Sequence, residues 1–182
     1  AKEWKTLAKY EDRAVQMVFG EKNDLYVISV NGAPHGQLLR APIAGFDLKK
    51  AKVVIKEGKD TLIADIWSAP LVVAGGRLYA RYQLGGPSEL RVFDLDGKPQ
   101  AGPTLLPVSS TGDAIPLQNG DVLFSNTSFV EPKTTMRFNA KKKTTTKTAL
   151  VTKFPVDLTG VTVTREMATS KDGTQVPVNV LL

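Results

Sequence analysis

The sequence holds no cysteine and a single histidine, His35, in 182 residues. Without thiols there is no disulfide, no thiolate nucleophile and no cysteine-ligated zinc. With one imidazole, any triad built on a histidine base must use His35, and a zinc site made of several histidines is excluded. Long apolar runs are missing as well. None nears the roughly 18 residues needed to span a bilayer as a helix, so no membrane partner is expected. Helical periodicity is almost absent. No charged stretch followed by an apolar run stands at the front, and the first residue is Ala1. These features predict no signal peptide and a processed or excised segment, and they leave the compartment open between cytoplasm and periplasm.

What is present is globular in composition, with 42% hydrophobic and 23% charged residues and a formal charge of +6. Apolar residues alternate, or run in short bursts of Val, Ile, Leu, Tyr and Phe between Gly, Asn, Asp and Pro. That pattern predicts many short strands. The clearest are 14–19, 25–30, 37–43 and 52–55; then 62–68, 78–84, 89–95 and 104–106; then 114–117, 122–129, 135–139 and 146–151. Each set has four. The second strand of each set begins near Leu25, Leu78 and Val122, at spacings of 53 and 44 residues. The third recurs as Leu38-Leu39-Arg40-Ala41-Pro42, Leu90-Arg91-Val92-Phe93-Asp94 and Met136-Arg137-Phe138-Asn139, each leading into a polar turn.

A four-stranded unit repeated every 40–50 residues is the pattern of β-propeller blades, which stack because one twisted sheet cannot cover both of its own faces. The expected fold is therefore all-β: a partial propeller of about three four-stranded antiparallel blades plus a C-terminal hairpin. The expected division is a connector at 1–12, blades at 13–60, 61–107 and 108–153, and a connector with hairpin at 154–182. Three blades are too few to close a ring, so the chain reads as a piece of a larger one. WD40 signatures are missing, and the Gly75-Gly76 pair with Tyr79 is not repeated as kelch repeats require. The hairpin strands, 161–167 and 175–182, flank Asp172-Gly173, a strong turn signal.

The segment Val163-Thr164-Arg165-Glu166-Met167-Ala168-Thr169-Ser170-Lys171-Asp172-Gly173-Thr174-Gln175-Val176-Pro177-Val178 resembles a junction of the prolyl oligopeptidase family. There the last blade is followed by a hairpin that opens an α/β-hydrolase domain. The stretch Val122–Pro132 is similar to that family's strand running into a Thr/Ser-Phe and a proline-bearing turn. The resemblance implies the final three blades of a seven-bladed propeller in a serine endopeptidase that cuts short peptides after proline, the propeller acting as scaffold and substrate-size gate. It implies the parent's own hydrolase domain and short proline-containing peptides as partners. The family's nucleophile elbow, Gly-x-Ser-x-Gly, does not occur in these 182 residues. No catalytic, cofactor-binding or metal-binding residue is therefore assigned, and no cofactor is expected. The alternative is a stand-alone propeller-like interaction module.

Other candidates have plainer readings. His35 lies in Asn31-Gly32-Ala33-Pro34-His35-Gly36, a turn composition. Asp94 and Asp96 could act as paired carboxylates, but Asp96-Gly97 reads as a hairpin turn with Asp94 bonding local amides. Lys141-Lys142-Lys143 with Lys147 reads as a solvated hairpin tip. No aromatics interleave it, so no nucleic-acid partner is expected. Asn126-Thr127-Ser128 matches a glycosylation sequon but falls inside an expected strand. Trp4 and Trp67 are expected to pack in the core or between blades. Blade faces without neighbours are expected to be apolar, so self-association is expected.

Overall fold

In the computed structural model, which describes residues 3–65 and 67–182, sixteen short strands form four separate antiparallel sheets. The first sheet is an unbroken meander, β1 (Ala14–Phe19), β2 (Asp24–Ser29), β3 (Gln37–Pro42) and β4 (Lys52–Ile55). β1 and β2 are joined by a short polar turn, β3 and β4 by a longer loop, and β2 is the buried centre, with Leu25 to Ser29 all inaccessible.

The second sheet contains β5 (Thr61–Leu62), β6 (Leu71–Ala74), β7 (Arg77–Gln83), β8 (Ser88–Asp94) and β9 (Pro99–Gln100). Its first position is shared: β5 and β6 both pair with β7, as two halves of one broken strand. The third sheet repeats the device. There β10 (Ser110–Thr111) and β11 (Ile115–Pro116) both pair with β12 (Val122–Thr127), followed by β13 (Thr134–Asn139) and β14 (Thr144–Val151). The fourth sheet is the hairpin of β15 (Val163–Thr169) and β16 (Gln175–Leu181), in register from Val163↔Leu181 to Thr169↔Gln175.

Alternation along the strands builds two interfaces between sheets. Between the first and second lie Tyr26, Ile28, Leu38, Leu78, Tyr82 and Phe93. Between the second and third lie Tyr79, Leu90, Val92, Val122, Phe124 and Phe138. The β8–β9 turn seats on the first sheet so closely that a Cβ on Gly97 would stand 1.8 Å from the Val54 carbonyl oxygen, and Gly97 has φ +86°. Only glycine fits there. The first strands of the sheets converge: β1 lies against β6, and β6 against β11. That shared edge is the axial side of an arc of blades.

Two expected strands moved. Residues 62–68 do not form one strand: only Leu62 continues β5, and pairing resumes at Leu71; Ile66 lies outside the described residues. The fourth strand of the second sheet is Pro99–Gln100 and not 104–106, because Asp94 Oδ1 accepts from the amides of Asp96 and Lys98 and the tight turn brings the chain straight back onto β8. The outer faces also differ from expectation. The far face of the first sheet is covered by its own loop, Phe46 and Leu48 packing on Leu25, Val27 and Ala41. On the third sheet, the alternate residues facing away are Leu123, Ser125, Thr127, Thr135, Arg137 and Asn139, mostly polar.

Candidate functional site

The site is built where the axial edge breaks. Ile63 donates to the Arg81 carbonyl and the Arg81 amide donates to the Pro70 carbonyl, so the ladder with β7 is interrupted between them and the described residues 64, 65 and 67–69 bulge out opposite a single β7 residue. The bulge is tightly held. Asp65 accepts from the Trp67 amide at 2.8 Å and the Ser68 hydroxyl at 2.9 Å. These bonds, the amide first, hold the Asp65 carboxyl below its usual range. The Ala69 amide donates to Asp113 in the third sheet, and Gln16 of β1 reaches the Ser68 carbonyl. Three sheets thus fix one excursion, and Trp67 sits on it with its side chain 88% exposed.

Asp113 stands on the matching break of the third sheet, just after Gly112, whose amide donates to the Ser125 carbonyl. Arg81 Nη1 meets Asp113 Oδ1 at 2.5 Å, in a part-buried ion pair that ties β7 to the β10–β11 break. A pocket of about 430 Å3 opens around Asp65, Ser68, Arg81, Asp113, Lys133 and Thr135. Beside it the converging axial strands leave a second concavity of about 430 Å3 with apolar walls from Met17, Phe19, Val73, Ile115 and Pro116. The first of these surfaces offers charged and polar groups of both signs to a small polar molecule, and the second an apolar wall. Among the described residues no three acidic or imidazole side chains gather as a metal site would require.

The residues flagged in the sequence fall elsewhere. His35 sits in an exposed turn: its amide donates to Glu57 Oε1 at 2.6 Å, and Nδ1 lies 3.2 Å from the Gly58 carbonyl oxygen. Neither neighbour is a hydroxyl that a histidine base could activate. Asp94 bonds the local turn amides, while Asp96 faces Arg40. Lys141 to Lys143 form an exposed tip between β13 and β14. Asn126 is fully buried, its side chain taking the Leu106 amide and giving to the Ser110 carbonyl, so it offers nothing for glycosylation. Trp4 and Trp67 are a correction: both are exposed, Trp67 because its segment is expelled from the sheet. Asp65, Arg81 and Asp113 went unmarked in the sequence. Their signal was a carboxylate beside small or turn-forming residues: Asp65 inside the expected strand 62–68 and three residues before Ser68-Ala69-Pro70, and Asp113 in Gly112-Asp113-Ala114, just before the expected strand 114–117.

Blades sharing an axial edge define a propeller arc. The chain matches the prolyl oligopeptidase N-terminal β-propeller domain over residues 1–150 and belongs to that family. The match stops before the hairpin. Among solved structures it is similar to one of two prolyl endopeptidases studied for inter-domain dynamics in catalysis and specificity, with a TM-score of 0.74 and 25% identity over 91% of this chain and 24% of that one. Prolyl oligopeptidase B from Galerina marginata, bound to a 35mer hydrolysis and macrocyclization substrate, gives 0.68 and 16% over 91% and 23%. Oligopeptidase B from Leishmania major gives 0.65 and 17% over 91% and 24%. The last two establish likeness of fold. The chain spans about a quarter of the length of each. Among curated proteins nothing matches.

Proposed function

We propose that this chain is the scaffold and substrate-size gate of a prolyl oligopeptidase-like serine endopeptidase that cleaves short peptides after proline. In this reading residues 13–60, 61–107 and 108–153 are blades, and 154–182 lead into the hydrolase domain that carries the serine, aspartate and histidine. No residue of this chain takes part in bond cleavage. The observation that carries the reading is the axial edge: three sheets bring β1, β6 and β11 together around a concave wall. A ring completed on that wall would leave a narrow passage, which admits an extended peptide and rejects a folded protein. The hairpin supports the same reading. Val176, Val178 and Leu181 are exposed on β16, whose outer edge has no partner strand among the described residues, a surface suited to pairing with a further sheet or with a second copy.

Two measurements test this. The coding sequence read on past Leu182 should encode Gly-x-Ser-x-Gly in frame; a stop codon would favour an interaction module instead. The protein carrying that elbow should hydrolyse a short prolyl peptide and leave a folded protein intact, while the 182-residue chain hydrolyses neither. Turnover by the chain alone, abolished by His35→Ala, would overturn the proposal.

A further inference from the structure

A glycine puts no side chain in the way of its own amide nitrogen, so Asn-Gly and Asp-Gly are the dipeptides in which that nitrogen most readily attacks the preceding side chain. The sequence holds four such pairs: Asn31-Gly32, Asp96-Gly97, Asn119-Gly120 and Asp172-Gly173. All stand in turns, but not at the same place within them. Gly97, Gly120 and Gly173 each take the fourth position, and their amides donate to the carbonyls of Asp94, Leu117 and Ser170 at 3.0, 2.9 and 2.9 Å. Gly32 takes the third position. Its turn is closed by the next amide, Ala33 donating to the Val30 carbonyl, and Gly32 has φ +64°, as the third residue of a type II turn requires. Among the described residues the Gly32 amide donates to nothing, and Gly32 is exposed.

The side chains differ in the same way. Asn119 Oδ1 accepts from the Asp121 amide at 3.0 Å, and its Nδ2 donates to Asp121 Oδ2 at 3.3 Å. Asp172 Oδ1 accepts from the Thr174 amide, and Asp96 Oδ1 accepts from Arg40. Asn31 is exposed, and among the described residues only its main chain is held: its amide donates to Ser29 Oγ and its carbonyl accepts from Gln37 Nε2. A Cβ built on Gly32 would meet nothing within 4 Å, so the nitrogen is open to approach. Ring closure needs two freedoms: an amide nitrogen that can give up its proton, and a side chain that can swing its carbonyl carbon onto that nitrogen. Among the described residues only Asn31-Gly32 combines them.

We infer that Asn31 is a self-modifying site, at which the turn between β2 and β3 gains a carboxylate. The Gly32 nitrogen gives up its proton and bonds to Asn31 Cγ. The Cγ–Nδ2 bond breaks, and ammonia leaves with a proton in place of the one given up, closing a five-membered imide. Water then adds to one of the two imide carbonyls and opens the ring. Addition at Cγ leaves aspartate; addition at the main-chain carbonyl leaves isoaspartate. Either product lowers the formal charge by one. Isoaspartate also lengthens the main chain by one methylene and moves the carbonyl that Gln37 holds. The chemistry at Asn31 goes ahead whether or not a hydrolase domain follows the hairpin.

The full 182-residue chain is incubated at mildly alkaline pH, both folded and in concentrated urea. Peptide mass spectrometry follows each asparagine, reading the gain of about 1 Da as amide becomes acid. In the folded chain Asn31 should convert about tenfold faster than Asn119. In urea, where both turns are lost, the two should convert within about twofold of each other. On ion exchange, Asn31→Gln should remove the fast-forming acidic species and Asn119→Gln should leave it. Equal rates in the folded chain would overturn the inference. So would a tenfold ratio that survives in urea, since the turn would then not be its cause, or a fast acidic species that persists in Asn31→Gln.

Discussion

The three blades and the terminal hairpin are both antiparallel β-structure, yet they are held together differently. In the first two blades the second strand is covered on both faces: Leu25 to Ser29 of β2, and Leu78, Tyr79 and Ala80 of β7, are all inaccessible although successive side chains point opposite ways. In the hairpin only Val163 is buried, and Met167, Val176, Val178 and Leu181 are exposed. Its order comes from the ladder and from the turn at Ser170–Thr174, where Asp172 accepts the Thr174 amide. Its tie to the blades is narrow: Arg165 donates to the Gly85 carbonyl at 2.8 Å, over a glycine pair whose second member, Gly86, could take a Cβ only by displacing the guanidinium. The contrast teaches that tertiary burial fixes the blades, while local pairing fixes the hairpin and leaves a surface unspent. A two-stranded ribbon is marginal by itself.

Core truncation should separate the two regions most. Phe124→Ala empties a fully buried site between the second and third sheets and should cost about 3–5 kcal/mol in urea unfolding, whereas Met167→Ala should change stability by less than about 0.5 kcal/mol. Equal effects would erase the distinction. Next comes the polar staple of the third sheet. Asn126→Ala strands the Leu106 amide and the Ser110 carbonyl and should cost about 2–3 kcal/mol by the same measurement.

Alkaline pH sharpens the comparison from another side. Burial pushes the Tyr82 hydroxyl up to about 12 from its ordinary 10. The folded form keeps the proton that the unfolded chain gives up, so this stabilisation is complete below pH 10 and is lost as pH rises towards 12. The loss should be about 2–3 kcal/mol, seen as a falling urea midpoint that Tyr82→Phe flattens. The smallest effect is expected at the link: Arg165→Ala should cost less than about 1 kcal/mol globally while loosening the hairpin's own amides.

Much of this architecture is legible in the residues. The first sheet matches expectation at β1 and β4 to the residue, because its apolar bursts are bounded by turn-forming residues such as Gly20 and Asn23 and by the Asp47-led loop. The repeat of Leu-Arg and Met-Arg motifs on the third strands marks real equivalents, β3, β8 and β13. The axial strands of the second and third sheets were only half legible: β11 falls inside the expected 114–117, while β10 and the break at 62–68 did not show. Leu62 to Ser68 carries the apolar content of a strand, yet pairing fails opposite Arg81 because a run of side-chain-to-amide bonds from Asp65 and Asp113 competes with the ladder. The same competition hid the pocket, since it joins residues 48 positions apart in sequence whose meeting depends on how two blades stack. Leu105 reads as strand for a related reason: it is apolar because it packs against the core as a crossing segment, with Leu106 bonded to a side chain and not to a neighbouring strand.

Amide hydrogen exchange across residues 163–181 tests the central claim most directly, compared in the 182-residue chain and in a polypeptide that continues through a Gly-x-Ser-x-Gly hydrolase domain. The account predicts that hairpin amides in the shorter chain exchange far faster than those of β7 and β12, and slow to match them in the longer polypeptide, as an edge gaining a partner should. Hairpin amides that exchange equally in both, at whatever rate, would contradict it.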